Sequence, residues 1–385
     1  MKLPLSWLCE WVEWPPQWDA AELARRLTMA GFEIEAIEPA APAFNGVVVA
    51  RIVDVQPHPQ ADRLRVCRAV TAETGGVAAD TALQIVCGAA NARSGLITAL
   101  AKVGATLPDG TVIGAAQLRG VESNGMLCSA RELGLSEAAE GIMELPADAP
   151  LGTPLREYLQ LDDVVFEVNV TPNRGDAMSV LGIAREVAAL SGVALKAADA
   201  GATAGARAGA GAGAGADAAG APPGEEDRIL ARLQPGAGAA RFASCVLRGI
   251  DNSGATPWWL RERLRRAGVR AISPVVDVTN YVMLERGQPM HAYDLAKLQG
   301  GALAARRARA GERVQLLDGR EIELAADVLV IADGAGAVGL AGVMGAQRTA
   351  IGRETRDIVL EVAWFASAAI AGRARRSRLI TDASQ

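Results

Sequence analysis

Residues 200–227, AGATAGARAGAGAGAGADAAGAPPGEED, alternate glycine with alanine and hold no large side chain to bury. Ordering such a stretch would cost backbone entropy that no apolar burial offsets, so it reads as a flexible linker. Two folded parts must then flank it. Length says the same, because 385 residues exceed what one core usually supports. Half of the residues are apolar and 22% are charged, a globular composition with material for several cores.

In the first part, Trp7, Leu8 and Trp11 stand at helical spacing. A second helix is expected from Ala20 to about Ala30, closed by Gly31 as a left-handed cap. From Val47 the period changes to two, in VVVARIVDV, LRVCRAV and LQIVCG. LPDGTVIG adds a hairpin whose Asp109–Gly110 suits a tight turn. Several short strands over roughly a hundred residues suggest a small barrel, with an OB-type fold the natural candidate. VFEVNV is a further strand, and DAMSVLGIAREVAALSG, Asp176 to Gly192, an amphipathic helix stopped by glycine.

The second part opens with TPWWLRERLRRAG, where Thr256 suits an N-cap, Pro257 the first helical position and Gly268 the stop. SPVVDVTNYVMLERG repeats that pattern with Ser273, Pro274 and Gly287. VQLLDGREIEL and DVLVIADGAGAVGLAGVMG read as hairpins, and DIVLEVAWF as a strand, which together make an α+β domain. Gly334-x-Gly336-x-x-Gly339 formally matches a dinucleotide fingerprint, but LAGVMGAQ, which follows it, lacks the periodicity of the helix that mechanism needs. A turn between strands is the better reading.

Net charge is −5, so phosphate binding would have to come from local arginines: 261, 263, 265, 266 and 270, or 373, 375, 376 and 378. Solvated helix faces are the commoner fate of such runs. In the barrel region Arg51, His58, Arg63, Arg65 and Arg68 form a basic stripe. With base-stacking aromatics nearly absent there, backbone and shape recognition of folded RNA fits better than single-strand stacking. Five scattered cysteines show no zinc spacing and no disulfide framework, which fits a reducing compartment. The start MKLPLSWLCEWVEW is interrupted by Glu10 and Glu13 and does not resemble a signal peptide. No apolar run is long enough to span a membrane, and a cytoplasmic protein is expected.

Two residues stand out. His291, in GQPMHAYD, is one of two histidines, and the other, His58, is far away in sequence. It could be a catalytic base, a metal ligand or a packed loop residue, and the pattern alone favours a loop imidazole bonded to backbone. Glu361 interrupts the apolar run VLEVAW, and its neighbours Leu360 and Val362 face the opposite way on an alternating strand. It is either the solvent face of that strand or an acid facing a pocket.

Taken together, these segments resemble the N-terminal half of the bacterial phenylalanyl-tRNA synthetase beta-subunit family. The resemblance is carried by WLCEWV, LTMAGFEIEAIEP, HPQADRLRVCRA, LRGVESNGMLCSARELGL and EVNVTPNRGDAMSVLGIARE, then by VVDVTNYVMLERGQPMHAYD, GLAGVMG, LEVAWF and GRARRSRLITDAS. It implies a multidomain α+β protein: an OB-type β-barrel for tRNA at 41–153, inserted in a small discontinuous α+β domain of 1–40 and 154–199. The linker at 200–227 would lead into a larger α+β editing domain at 228–385.

In that family the editing domain hydrolyses tyrosine wrongly attached to phenylalanine tRNA. Matching positions place His291, Thr279 and Asn280 near the ester and terminal adenosine, and Ala341 and Gly342 on the pocket floor. Glu361 would receive the tyrosine hydroxyl, and Thr381 and Ala383 would form another wall. The resemblance implies phenylalanine tRNA and an alpha subunit as partners, in a heterotetramer. ATP and Mg²⁺ would serve the complete enzyme, with no cofactor and no metal ligand in this chain, since the family's metal positions lie in later domains. A freestanding deacylase and an RNA-binding scaffold with an inactive pocket are the alternatives.

Overall fold

The computed structural model describes residues 1–72, 82–137, 141–196 and 229–370. The linker at 200–227, the arginine run at 373–378 and the expected pocket residues Thr381 and Ala383 lie outside the described residues.

The chain starts with β1 (Lys2–Pro4), the single turn α1 (Leu5–Leu8), α2 (Ala20–Met29) and β2 (Glu33–Pro39). Asp19 caps α2 by accepting from the Glu22 N–H at 2.8 Å, and Gly31 follows the helix with φ +97°. The next seven strands are β3 (Asn45–His58), β4 (Ala61–Val70), β5 (Leu83–Cys87), β6 (Ile97–Thr106), β7 (Ala116–Leu118), β8 (Val121–Ser123) and β9 (Met126–Cys128). Five of them form an antiparallel sheet in the order β5-β4-β3-β6-β9. The sheet curls until β5 meets the β8–β9 corner, where Ser123 Oγ accepts from the Val86 N–H at 3.0 Å and Gln84 O from the Asn124 N–H at 2.8 Å. Its inner side chains make one core and its reverse side another, the second closed by Leu155, Leu159 and Leu161 around the short α3 (Leu155–Tyr158).

After the curled sheet the chain returns to its beginning. β10 (Val164–Asn169) runs antiparallel between β1 and β2, so residues more than 120 positions apart share one three-stranded sheet. α4 (Val180–Ser191) covers it, packing Val180, Ile183, Ala184 and Val187 against Leu3, Leu8, Leu23 and Phe166. Its cap is Ser179, which accepts from the Gly182 N–H at 2.9 Å. The expected helical start at Asp176 is instead part of a 3₁₀ stretch, Pro172–Ala177, whose Arg174 leaves helical geometry.

The second part contains β11 (Leu230–Leu233), β12 (Ala239–Leu247), α5 (Trp258–Arg266), α6 (Pro274–Arg286), β13 (His291–Asp294), β14 (Ala302–Arg307), β15 (Arg313–Gln315), β16 (Glu321–Glu323), β17 (Leu329–Ala332), β18 (Ala337–Leu340), β19 (Met344–Gly345) and β20 (Ile358–Phe365). Two sheets dominate: β11-β14-β17-β18-β19 and β12-β20-β13. The glycine pattern at 334–339 spans the β17–β18 connection and its return strand, so no helix N-terminus stands there for a pyrophosphate. Ser273, Pro274 and Gly287 bound α6 as expected, with Gly287 at φ +77°. Thr256 does not cap α5. Its hydroxyl donates instead to the Asp277 carboxylate, a fully buried group whose other oxygen accepts from the Ile272 N–H at 2.7 Å.

Three of the four arginines of α5, Arg263, Arg265 and Arg266, are the join between the two parts rather than a solvated face, while Arg261 is exposed. Arg263 pairs with Glu10, and Arg265 donates to Ala40 O at 2.9 Å. Arg266 is buried and reaches Asp163 at 3.1 Å and Leu159 O at 2.8 Å, with Glu262 at 3.5 Å. Beside them Trp7 stacks on Tyr281 at 5.0 Å, and both donate to Glu285 Oε1, at 3.4 and 2.7 Å. Removing one member of a buried ionic cluster leaves its partners desolvated and uncompensated. Arg266→Ala is therefore expected to lower stability by about 3 kcal/mol, read as a fall in the denaturant midpoint, and an unchanged midpoint would show that the cluster contributes nothing.

Candidate active site

The site is built on register. β13 and β20 are antiparallel with His291 directly opposite Glu361, so both side chains leave the same face of the sheet. Tyr293, two residues after His291, shares that face. On the other flank of Glu361 stands Ser244 of β12, whose hydroxyl donates to Ile229 O at 2.7 Å.

That face opens on a cavity of about 280 Å³, a volume near the lower end for small-molecule sites and suited to one aromatic side chain. One wall is the run from Gly287 to His291, which leaves the left-handed end of α6. Gly342, Met344 and Gly345 form another. Glu361 is the single acid among the described lining residues, and no lysine or arginine accompanies it. An apolar cavity with one acid suits a ligand that is largely hydrocarbon and carries one hydrogen-bond donor.

Glu361 is only 7% exposed. Burial away from any cation pushes its carboxyl up to about 7, against which a hydrogen bond from Tyr293 acts. That bond runs from the Tyr293 hydroxyl to Oε2 at 3.3 Å, and Oε1 has no hydrogen-bond partner among the described residues. Burial and the neighbouring carboxylate raise the Tyr293 phenol well above its ordinary value, so it stays a donor. Its ring meets His291 edge to face at 4.6 Å.

His291 Nε2 is buried and unpartnered among the described residues. Desolvation takes its pKa down to about 4, which keeps the imidazole neutral near pH 7. Gly345 makes its placement possible, because a Cβ there would run into Cε1 and Nε2 of the ring. A neutral imidazole at the wall of a cavity can orient a water molecule. With so low a pKa it orients that water better than it removes a proton from it.

The other expected residues fall in different places. Gly342 lines the cavity, and its N–H has no acceptor among the described residues, while Ala341 packs behind it with its N–H on Leu329 O at 3.1 Å. Thr279 and Asn280 sit in the middle of α6, about two turns before the cavity wall, and neither is among the lining residues. Thr279 Oγ1 donates back to Val276 O at 2.8 Å. Sequence reasoning missed Tyr293 and Gly345. Tyr293 could have been found from its spacing, since i and i+2 share a strand face, but nothing in the sequence showed which glycine approaches the histidine.

The basic stripe of the curled sheet divides in two. Along β4, Arg63 and Arg65 share one face and Arg68 takes the other, where Arg51 joins it opposite Val70. His58 is buried at the end of β3, its Nε2–H donating to Leu118 O at 3.0 Å and its Nδ1 accepting from the Gln60 N–H at 3.0 Å, so the ring has no nitrogen left for RNA. Among the described residues no group of three or more His, Cys, Asp or Glu could hold a metal. No helix of the described residues is long and apolar enough to cross a membrane.

Comparison with known proteins identifies two domains. Residues 47–154 match a family described as "Putative tRNA binding domain", and residues 238–385 match the B3/4 domain. Over 384 residues, all of this chain, it is 50% identical to the phenylalanine–tRNA ligase beta subunit of Methylococcus capsulatus, covering 45% of that protein. The corresponding subunits of Dickeya dadantii and Bordetella pertussis are 47% and 48% identical, with 45% and 44% of their lengths covered. The chain thus spans less than half the length of these relatives. An N-terminal fragment of the Pyrococcus horikoshii phenylalanyl-tRNA synthetase beta subunit matches 52% of the chain at 13% identity and a TM-score of 0.28, too low to argue from.

The two shifted groups act on stability in opposite directions. Glu361 is raised, so its contribution is complete below its ordinary value and lost as pH rises through about 7. His291 is depressed, so its contribution is complete above its ordinary value and lost as pH falls through about 4. Glu361→Gln should therefore remove up to about 3 kcal/mol of the stability that the native protein loses between about pH 5 and about pH 8. Parallel pH–stability curves for the two proteins would contradict the burial argument.

Proposed function

We propose that this chain, which aligns from end to end with phenylalanine–tRNA ligase beta subunits, is the tRNA-binding and editing portion of such a subunit. The curled sheet, read as an OB-type barrel inserted between residues 1–40 and 154–199, holds tRNA. The domain beyond the linker releases tyrosine wrongly esterified to phenylalanine tRNA. Aminoacylation with ATP and Mg²⁺, and assembly with the alpha subunit in the cytoplasm, complete the reading at the level of the whole enzyme.

One observation carries it: a buried carboxyl and a buried imidazole, each with an atom that has no partner among the described residues, stand side by side on the sheet face that lines a cavity for one aromatic ring. A synthetic pocket shaped for phenylalanine rejects an isostere bearing one more hydroxyl only about a hundredfold. A site built to hydrogen-bond that hydroxyl discriminates by about 10⁴ or more, because the analogue lacking it leaves the site's buried group unpaired. Tyrosine satisfies Glu361 and phenylalanine does not. The ester carbonyl then lies toward His291, which orients the attacking water, and the N–H of Gly342, which has no acceptor among the described residues, is a donor for the developing oxyanion. With the imidazole so weakly basic, the proton of the attacking water passes to the departing ribose oxygen as the ester bond breaks, with the neighbouring ribose hydroxyl as the relay.

Deacylation of Tyr-tRNA and Phe-tRNA by the purified chain tests this. Selective release of tyrosine is expected, lost on Glu361→Ala and slowed about a hundredfold on His291→Ala through the loss of water positioning. Binding of both tRNAs without release of either amino acid would identify a scaffold with an inactive pocket. For the tRNA contact, the exposed Arg63 and Arg65 are the candidates. Each change to alanine should reduce the slope of log affinity against log salt by about 1, and slopes equal to that of the native chain would place the tRNA elsewhere.

A further inference from the structure

Glu361 is already bonded to a phenol before any ligand arrives, and that phenol belongs to the protein. Tyr293 is 1% exposed, and Glu361 Oε2 is the partner of its hydroxyl. The two residues are diagonal neighbours across the β13–β20 ladder, since Tyr293 pairs with Val359 and Glu361 with His291. Such diagonals lie within reach of aromatic side chains. The Tyr293 ring also stands against His291 at 4.6 Å, so one side chain touches both members of the site.

We infer that Tyr293 is the positioning residue for Glu361 and thereby sets ring specificity: its hydroxyl holds one carboxylate oxygen and leaves the other for a ring hydroxyl entering the cavity. The inference rests on the editing reading of this site. Among the described residues, every group facing Glu361 supports it. From β13 come neutral His291 and Tyr293, from β12 comes Ser244 with its hydroxyl committed to Ile229 O, and the described cavity walls add no other charge. Among the described residues Tyr293 is thus the single donor that favours the ionised carboxylate over the neutral acid, in the sense its hydrogen bond already shows. Ionisation matters for selection. An unpaired carboxylate excludes a bare ring more strongly than an unpaired neutral acid does.

Tyr293→Phe removes one oxygen and keeps the ring. In the full chain, the preference for Tyr-tRNA over Phe-tRNA near pH 7 should fall roughly tenfold, the equivalent of one hydrogen bond to a charged group. It should recover at higher pH, because the carboxyl then ionises without help. Binding of p-cresol against toluene, the side-chain analogues, should show the same loss and recovery without relying on catalysis. A variant with native preference and a native pH midpoint in both assays overturns the inference. If the native chain prefers p-cresol yet releases no tyrosine, the editing reading fails while the role of Tyr293 stands. A measurement on the unaltered chain guards against misfolding: carbon NMR of Tyr293 Cζ and the Glu361 carboxyl should give one shared titration midpoint, and independent midpoints overturn the coupling.

Discussion

The antiparallel pairing of β13 with β20 is the constraint on which the site depends. Because side chains alternate at a period of two, a slip of one residue would send Glu361 to the reverse face and separate it from His291. Several features hold the register. β20 is the central strand of three, fixed on its other edge by eight paired residues of β12. At the far end of β13, Asp294 is buried and accepts from Thr355 at 2.8 Å and from the Ala296 N–H at 3.1 Å. The chemistry of the cavity is thus set by backbone hydrogen bonds some distance from it.

The wall that carries His291 has a second support. It leaves α6 at Gly287, and the last turn of α6, like α5 before it, is gripped by the first part of the chain. Glu285 accepts from Trp7, and Arg286 lies over the Trp11 ring at 4.6 Å. A Cβ on Gly287 would meet Ser179, the cap of α4, at 3.3 Å. The sheet formed by β1, β2 and β10 therefore does more than complete its own core. Through α1, α4 and α6 it presses on the segment from which the cavity wall departs.

Much of this was readable in the sequence, and the misses have one physical cause. Elements set by local chemistry came out as expected: α2 with Gly31, α6 between Ser273 and Gly287, and the turn at Asp109–Gly110. Glu361 was flagged because an acid breaks an apolar alternation, but its direction could not be known, since the same pattern describes a solvent face. Residues whose partners are distant in sequence were misjudged. Thr256 has the spacing of a cap yet bonds Asp277, 21 residues on. The arginines of α5 look like a solvated face until β1 and the residues around Asp163 fold against them. His58, grouped with a basic stripe, is held by Leu118, 60 positions away. Periodicity reports what a residue does within its own element, and these assignments depend on which element arrives opposite.

The proton affinity of Glu361 and the selectivity proposed for it have the same origin. Desolvation raises its pKa because an ion in an apolar cavity lacks the hydrogen bonds that water gave it. That deficit is what an arriving hydroxyl relieves and a bare ring leaves in place. A more exposed acid would have an ordinary pKa and would treat both rings nearly alike, because water would satisfy it in either case. An acid with a cationic partner would be satisfied in advance and would be equally indifferent. The absence of lysine and arginine from the described cavity wall is therefore as important to the proposed discrimination as the presence of the carboxyl itself.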